Sequence, residues 1–437
     1  MTVNVFGAGL AGCEAAYQLA KRGVKVKLYD MKPHQKTPAH SSDMFCELVC
    51  SNSLKAKRVS SAAGLLKEEM RHLDSLLVKC ADECAVPAGG ALAVDREKFS
   101  SIVTEILKNH ENIEFISEEV TCIPSDEISV VATGPLTSDA LSLHISDMFG
   151  EHLSFFDAAA PIVSAESVDM DHAFYESRYG KGDGDDYLNC PLNKEEYEIF
   201  YNELVNAERA PVHEFDVRDP KVYEGCMPIE VLAQRGVDTI RFGPMKPVGL
   251  RDPRTGHRPW AVLQLRKETA TGDMYNLVGF QTNLKFAEQK RVFGLIPALK
   301  NAEYHRYGVM HRNTFINSPK LLDADFSVRT NKKLFFAGQI TGVEGYMESA
   351  SSGLIAGINA YMTLMGKDTV VLPEVTMIGS LSRYISDESV VDFQPMGANF
   401  GVLPDLENRP RDKALRGEAY AERSLLSLDE FIKDNAI

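Results

Sequence analysis

The sequence predicts an α/β fold: a Rossmann-like, dinucleotide-binding domain built from both ends of the chain and interrupted by an inserted α+β domain. Three observations carry this. A glycine-rich turn, "GAGLAG", stands between a short apolar run and a small-residue helix at the start. A second strand, turn and small-residue helix, "KLFFAGQITGVEGYMESASSGLIAGINA", returns late in the chain. The long stretch between them, with its acidic and basic segments, has neither pattern. The boundaries expected are 1–160 and 320–437 for the dinucleotide-binding domain and 161–319 for the insertion.

Each element follows from its residues. "VNVFG" is a short buried strand, and Gly7, Gly9 and Gly12, with Ala8, Leu10 and Ala11 between them, form GxGxxG at the strand-to-helix turn. Ala15, Ala16 and Leu19 give the helix its packing face, Gly23 ends it, and "VKVKLYD" is a second strand closed by Asp30. The glycines let the backbone approach a pyrophosphate whose charge the helix N-terminus stabilises, and Asp30 is placed for ribose hydroxyls. Strand, turn, helix, strand and acid in register make this a dinucleotide site rather than a chance motif.

Leu66, Met70, Leu73, Leu77 and Cys80 recur in steps of four and three, which predicts one amphipathic helix from Ser60 to Cys84. "EISVVATGP" is a buried strand, the segment 166–208 is acidic, and "YGKGDGDDY" within it predicts a mobile loop. "KVYEGCMPIEVLAQRG" places Cys226 ahead of a short helix that starts at Pro228 and stops at Gly236. A thiolate is favoured at that positive end, while Glu224 and Glu230 oppose it. The late strand ending in Ala-Gly before a helix N-terminus has the form that FAD proteins of the glutathione-reductase type use to return the chain to the flavin. It predicts FAD, with Gly338, Gln339, Glu344 and Tyr346 beside it. No second complete GxGxxG unit locates a site for reduced nicotinamide.

Composition narrows the function. With 44% hydrophobic and 25% charged residues in 437, the chain is an ordinary soluble protein of two or three domains. No apolar run reaches membrane-span length, and the opening residues lack a signal-peptide pattern. Eight scattered cysteines point to a reducing cytoplasm. A net charge of −15 excludes a protein that wraps nucleic acid with its whole surface. One local exception is a Pro/Gly-rich loop in which Arg241, Lys246, Arg251, Arg254 and Arg258, with His257 among them, face only Asp252. Cys46/Cys50 and Cys80/Cys84 have C-x₃-C spacing, but Cys80 belongs to an apolar helix face, so no metal site is expected.

Nearly end to end, the chain resembles the folate- and FAD-dependent tRNA uracil-54 C5-methyltransferases, relatives of the larger flavoproteins that modify the wobble uridine. The resemblance rests on "GAGLAGCEAAYQLAKRG", "ELVCSNSLK", "VPAGGALAVDRE", "YEGCMPIE", "GPMKPVGLRDPRTG", "YNLVGFQTNLKFAEQKRVF", "YGVMHRNTFINSP" and "AGQITGVEGYMESASSGL". It implies transfer of one carbon from 5,10-methylenetetrahydrofolate to C5 of the T-loop uridine of tRNA, with FAD and NAD(P)H as reductants. It implies Cys226 as the nucleophile on uracil C6, which makes C5 reactive as an enolate. Cys50 is then a thiol held near the flavin, favoured as thiolate by Lys55, Lys57 and Arg58. Tyr346 either stacks on the flavin or pterin or simply lines the pocket. The basic loop, with His305, Arg306, His311 and Arg312, becomes a candidate RNA surface, since the target base must be flipped out at a cost of about a few kcal/mol. The same chemistry on ribosomal RNA, and a flavoprotein oxidoreductase acting on a small molecule, stand as alternatives. No membrane and no obligate protein partner are expected.

Overall fold

Two six-stranded sheets organise the computed structural model, which describes residues 2–37, 39–150, 153–180, 186–211, 227–435 and 437. The first sheet runs Ser327–Val328, Asn331–Phe336, Ser129–Val131, Thr2–Phe6, Lys25–Asp30, Ile113–Ser117. Its pairings are parallel except at the Ser327 edge. Strand residues Val3, Val5, Leu28, Val130, Val131, Phe335 and Phe336 are all buried, as a parallel sheet covered on both faces requires. The chain's first strand lies in the middle; the sheet's next two strands, Lys25–Asp30 and Ile113–Ser117, extend it on one side, and Ser129–Val131 then begins the other side, so the order reverses there. Such a switch point opens a crevice at the carboxyl ends of the strands.

The second sheet is antiparallel where its strands pair: Phe174–Tyr175, Leu188–Leu192, Ala261–Lys267, Met274–Leu277, Ile162–Ser164, Tyr304–Arg306. It has a core of its own, drawn from Val163 to Ala302, whereas the first core draws on Val3 to Ile145 and Phe315 to Leu428. An antiparallel ribbon, Leu153–Ala158 against Met310–Phe315, carries the chain between the two bodies in both directions.

The single helix expected from Ser60 to Cys84 is two, Ala62–His72 and Leu76–Glu83. The chain turns at Asp74, which adopts φ 60°, and Ser75 caps the second helix. A buried carboxylate explains the break. Glu14, on the first helix (Leu10–Ala20), accepts from the Ser75 hydroxyl at 2.8 Å and from the Leu76 and Leu77 N–H groups at 3.2 and 3.1 Å. It satisfies donors that a continuous helix would have paired internally. Apolar spacing reads straight through the turn because both halves pack on one core.

The first helix meets the helix Tyr346–Leu364 with almost no side chain between them. A Cβ on Gly353 would lie 2.0 Å from the Ala11 carbonyl oxygen, and one on Gly357 would lie 2.7 Å from that of Ala15. Alanine at 353 gains about 1 kcal/mol of helix propensity but must push two backbones apart. Overpacking costs about 1–3 kcal/mol or more. Gly353→Ala is therefore expected to lower stability by about 2 kcal/mol in denaturant titration. Gly90→Ala, with open space around the new Cβ, should stay within about 0.5 kcal/mol of the parent.

Candidate active site

The crevice at the switch point is lined by Gly7, Gly9, Leu10, Ala11 and Asp30 from the start of the chain and by Gly338, Gln339 and Tyr346 from its return. The three glycines have distinct tasks. Gly7 adopts φ +100°, and a Cβ there would sit 2.5 Å from the Ala132 carbonyl. Gly12 packs helix on strand, 1.8 Å from the Gly7 carbonyl in the same sense. A Cβ on Gly9 would meet nothing within 4 Å, so this is where a ligand can come up to the backbone. No side chain caps the helix at Gly9, leaving first-turn N–H groups for an anion. The Ala8 N–H donates to one Asp30 oxygen at 2.8 Å and the Lys32 N–H to the other at 2.9 Å. These bonds fix the carboxylate at the crevice wall with lone pairs left for hydroxyls. Residues of this kind fit a dinucleotide.

On the opposite wall the helix Tyr346–Leu364 also starts without a side-chain cap, at Gly345. The Gly338 N–H is held by the Ser352 hydroxyl at 2.7 Å. Glu344 is buried behind the wall and accepts from the Gln339 amide at 2.5 Å, so it orients Gln339 rather than facing the crevice itself.

Cys50 stands at the end of this wall. The Tyr346 hydroxyl oxygen accepts the N–H groups of Cys50 at 2.8 Å and Ser51 at 3.3 Å, and it lies 3.0 Å from the Cys50 sulfur. Two donors occupy the oxygen's lone pairs, which leaves the O–H proton for sulfur. Burial, and the neighbouring thiol, push the Tyr346 pKa well above the ordinary phenol value, so it remains a donor. Tyr346 thus supports a negative sulfur, in addition to lining the crevice. Lys55, grouped with Cys50 by sequence, bonds the buried Glu348 carboxylate at 2.6 Å, while Lys57 and Arg58 are exposed farther along.

Sequence reasoning missed the residues that hold the Cys50 turn. Buried Arg266 donates to the Asn52 side-chain oxygen and to the Ser51 hydroxyl, both at 2.9 Å. The Asn52 amide donates to the Val94 and Lys267 carbonyls, both at 3.0 Å. Arg96 pairs with buried Glu268 at 3.0 Å and donates to the Leu48 carbonyl at 2.5 Å. One signal was legible: Arg266 follows the largely apolar run Ala261–Leu265 in the strand Ala261–Lys267, and a buried guanidinium needs partners.

Cys226 lies outside the described residues, as do Glu224 and residues 181–185 of the expected loop. The helix that follows Cys226 runs Ile229–Gln234, with Pro228 one position earlier than expected, at its N-cap. Glu230 is turned into the insertion's core, accepting from the Thr282 hydroxyl at 2.9 Å and the Asn283 N–H at 2.8 Å. In the basic loop, Arg241 stacks 3.8 Å from the Trp260 ring centroid and bonds Asp238. Arg254 clasps Asp252 through two bonds, at 3.0 and 2.7 Å. Lys246, Arg251 and Arg258 remain exposed, the last two sharing a surface cleft with His257 and Glu176. Cys13, Cys46, Cys80, Cys84 and Cys190 are buried. Among the described residues no group of three His, Cys, Asp or Glu side chains converges for a metal, and no helix is long and apolar enough to cross a membrane.

The glucose inhibited division protein A family model matches residues 2–368. The methylenetetrahydrofolate–tRNA-(uracil-5-)-methyltransferase TrmFO of Acetivibrio thermocellus is 62% identical over 431 residues, covering 98% of both chains. That of Pelotomaculum thermopropionicum is 60% identical with the same coverage. That of Lysinibacillus sphaericus is 56% identical over 437 residues, covering 100% of this chain and 99% of its own. In fold, the chain is similar to GidA of Aquifex aeolicus, with a TM-score of 0.69 at 17% identity over 99% of this chain and 76% of that one. The glycine-lined crevice, with a hydrogen-bonded thiol at its end, is thus that of a chain that belongs to the glucose inhibited division protein A family and, within it, to the methylenetetrahydrofolate–tRNA-(uracil-5-)-methyltransferases.

Proposed function

We propose that this chain methylates C5 of uracil 54 in the T loop of tRNA, taking the carbon from 5,10-methylenetetrahydrofolate and the electrons from NAD(P)H, with FAD in the crevice. One observation carries the reading: the Cys50 sulfur is bonded to Tyr346, and Tyr346 begins the helix whose uncapped N-terminus walls a dinucleotide crevice. A thiol so placed adjoins the crevice through Tyr346, at the end where a base would meet the ring of the cofactor. Gly9 and the first helix would hold the pyrophosphate, Asp30 the ribose, and Gly338, Gln339 and Tyr346 the ring end. FAD bound there and reduced by NAD(P)H would supply the two electrons that take the methylene to the methyl level.

The protein's own residues do the rest. A thiolate adds to uracil C6 and raises the electron density at C5, which then accepts the carbon and loses its proton before the thiolate leaves. The nucleophile is assigned to Cys226 and the supporting thiol beside the cofactor to Cys50. Tyr346, by donating to sulfur, favours negative charge on Cys50. Glu230 is committed to Thr282 and Asn283 and does not serve as the C5 base. The insertion, residues 161–319, faces the RNA, and of its basic loop Lys246, Arg251 and Arg258 reach phosphate while Arg241 and Arg254 hold the loop's shape.

Gly9→Val should yield colourless protein, because a branched side chain fills the approach to the pyrophosphate; absorbance near the flavin bands checks it. Cys226→Ala should abolish 5-methyluridine formation yet retain flavin. The parent enzyme should crosslink to RNA with 5-fluorouracil at the target, and peptide mapping should put the adduct on Cys226; an adduct on Cys50 would reverse the two roles. Replacing Arg251 and Arg258 together should reduce the slope of log affinity for tRNA against log salt by about two. Arg254→Ala should instead lower the melting temperature with little change in that slope.

A further inference from the structure

The insertion carries three aromatic rings in a column. Phe286 and Tyr307 stack with centroids 4.6 Å apart and planes 16° apart, and Tyr307 and Tyr304 follow at 4.9 Å and 4°. The inner end is anchored: Tyr304 is half-buried, and its hydroxyl donates to the Gln289 carbonyl at 3.4 Å. The outer end is wet. Phe286 opens the helix Phe286–Phe293 and is 54% exposed although Tyr307 covers one of its faces. With one face against Tyr307, an exposure of that size leaves the ring open to a partner on its other side. That helix is buried through Gln289, Val292 and Phe293, and Phe286 adds its stack on Tyr307 from the exposed end. A column of rings with one open face can be extended by any planar, apolar-faced group, and a nucleobase is such a group.

Its location selects the ligand. Tyr307 is the chain neighbour of Arg306, and Arg306 shares its surroundings with Cys50, Tyr346, Glu47 and Arg96. The Arg306 guanidinium is half-buried and makes no hydrogen bond or ion pair with any described residue. Burial, the largest influence, and the nearby Arg96 act against its charge, while Tyr346, Glu47 and Cys50 act for it. A guanidinium kept charged in that position, at the rim of the thiol site, is complementary to an incoming anion. Beside the column, Lys285 is spent on Glu208, and Arg291 on Glu203 and Glu288.

We propose that Arg306 and the open face of Phe286 form a subsite for a nucleotide next to the target uridine, with its phosphate on Arg306 and its base on Phe286. The inference rests on the RNA-methylating function proposed above and adds to it how flipping is compensated. Removing a base from its stack leaves its neighbour with an uncovered face, and the column replaces that lost stacking partner. Stacking is indifferent to base identity, so this subsite contributes affinity and register rather than sequence choice.

The test uses the flavin-loaded full-length protein and an RNA stem-loop carrying the target uridine, with 2-aminopurine at each loop position in turn. The parent should quench 2-aminopurine at one position beside the target. Phe286→Ala should lose that quenching and bind the stem-loop about tenfold more weakly with an unchanged salt slope, and Phe286→Trp should restore both. Arg306→Ala should lower the salt slope by about one. Melting curves identify any variant that fails to fold, and Phe286→Trp then carries the test through its own quenching. Parent-like affinity and quenching in Phe286→Ala, while the parent methylates the stem-loop, would overturn the subsite alone. A parent that neither binds nor methylates the RNA would overturn the underlying function and the subsite with it. Loss of a concentration-dependent dimer in Phe286→Ala, with RNA affinity intact, would assign the face to a second copy of the chain and overturn the proposal.

Discussion

Everything in this molecule depends on the approach of two helices close enough that only glycine fits between them. Gly353 and Gly357 rest directly on the backbone of Ala11 and Ala15. That contact brings the return segment Gly338–Tyr346 up to the glycine turn Gly7–Gly12, so that two uncapped helix N-termini open on one crevice. Helix dipoles act over the first turn only, and their joint action on one ligand is a matter of ångströms. A wider spacing would leave two half-sites, each with an unsatisfied ring of N–H groups.

The thiol site extends this dependence to the insertion. Cys50 belongs to the crevice through Tyr346, but its turn is clasped by Arg266 and by the Lys267 carbonyl, both from the insertion's sheet. Buried polar groups of this sort are costly unless every partner is present. Neither body alone can satisfy them. The position of the sulfur is therefore a property of the assembled pair, and the cofactor wall and the RNA-facing insertion share one reference point.

The sequence made the crevice legible because its determinants are local. GxGxxG, the strand that precedes it and Asp30 all lie within the first thirty residues, and the return pattern lies within another short run. What stayed hidden joins distant residues. The periodicity of Leu66 to Cys80 ran through the break at Asp74, since the carboxylate that caps the second helix comes from Glu14. Arg266 and Asn52 looked unrelated until folding placed them 2.9 Å apart. The five cations of the basic loop read alike, yet Asp252 claims Arg254 and the Trp260 ring claims Arg241. Charge along a sequence overstates charge available to a ligand, because short loops satisfy their own side chains first.

The ribbon of Leu153–Ala158 against Met310–Phe315 has a consequence for how the chain acquires its shape. The central parallel sheet needs Leu334 beside Ser129, a pairing across the whole insertion. For a disordered chain, closing so long a loop is slow, and its entropic cost falls before any contact rewards it. An insertion that has collapsed around its own core and zipped its two ends into the ribbon delivers Phe315 next to Leu153, which takes the whole insertion out of the loop that has to close. As the ribosome releases the chain from its N-terminus, the guest domain has all its strands before the host has its last one. The insertion is in that sense the scaffold on which its host closes.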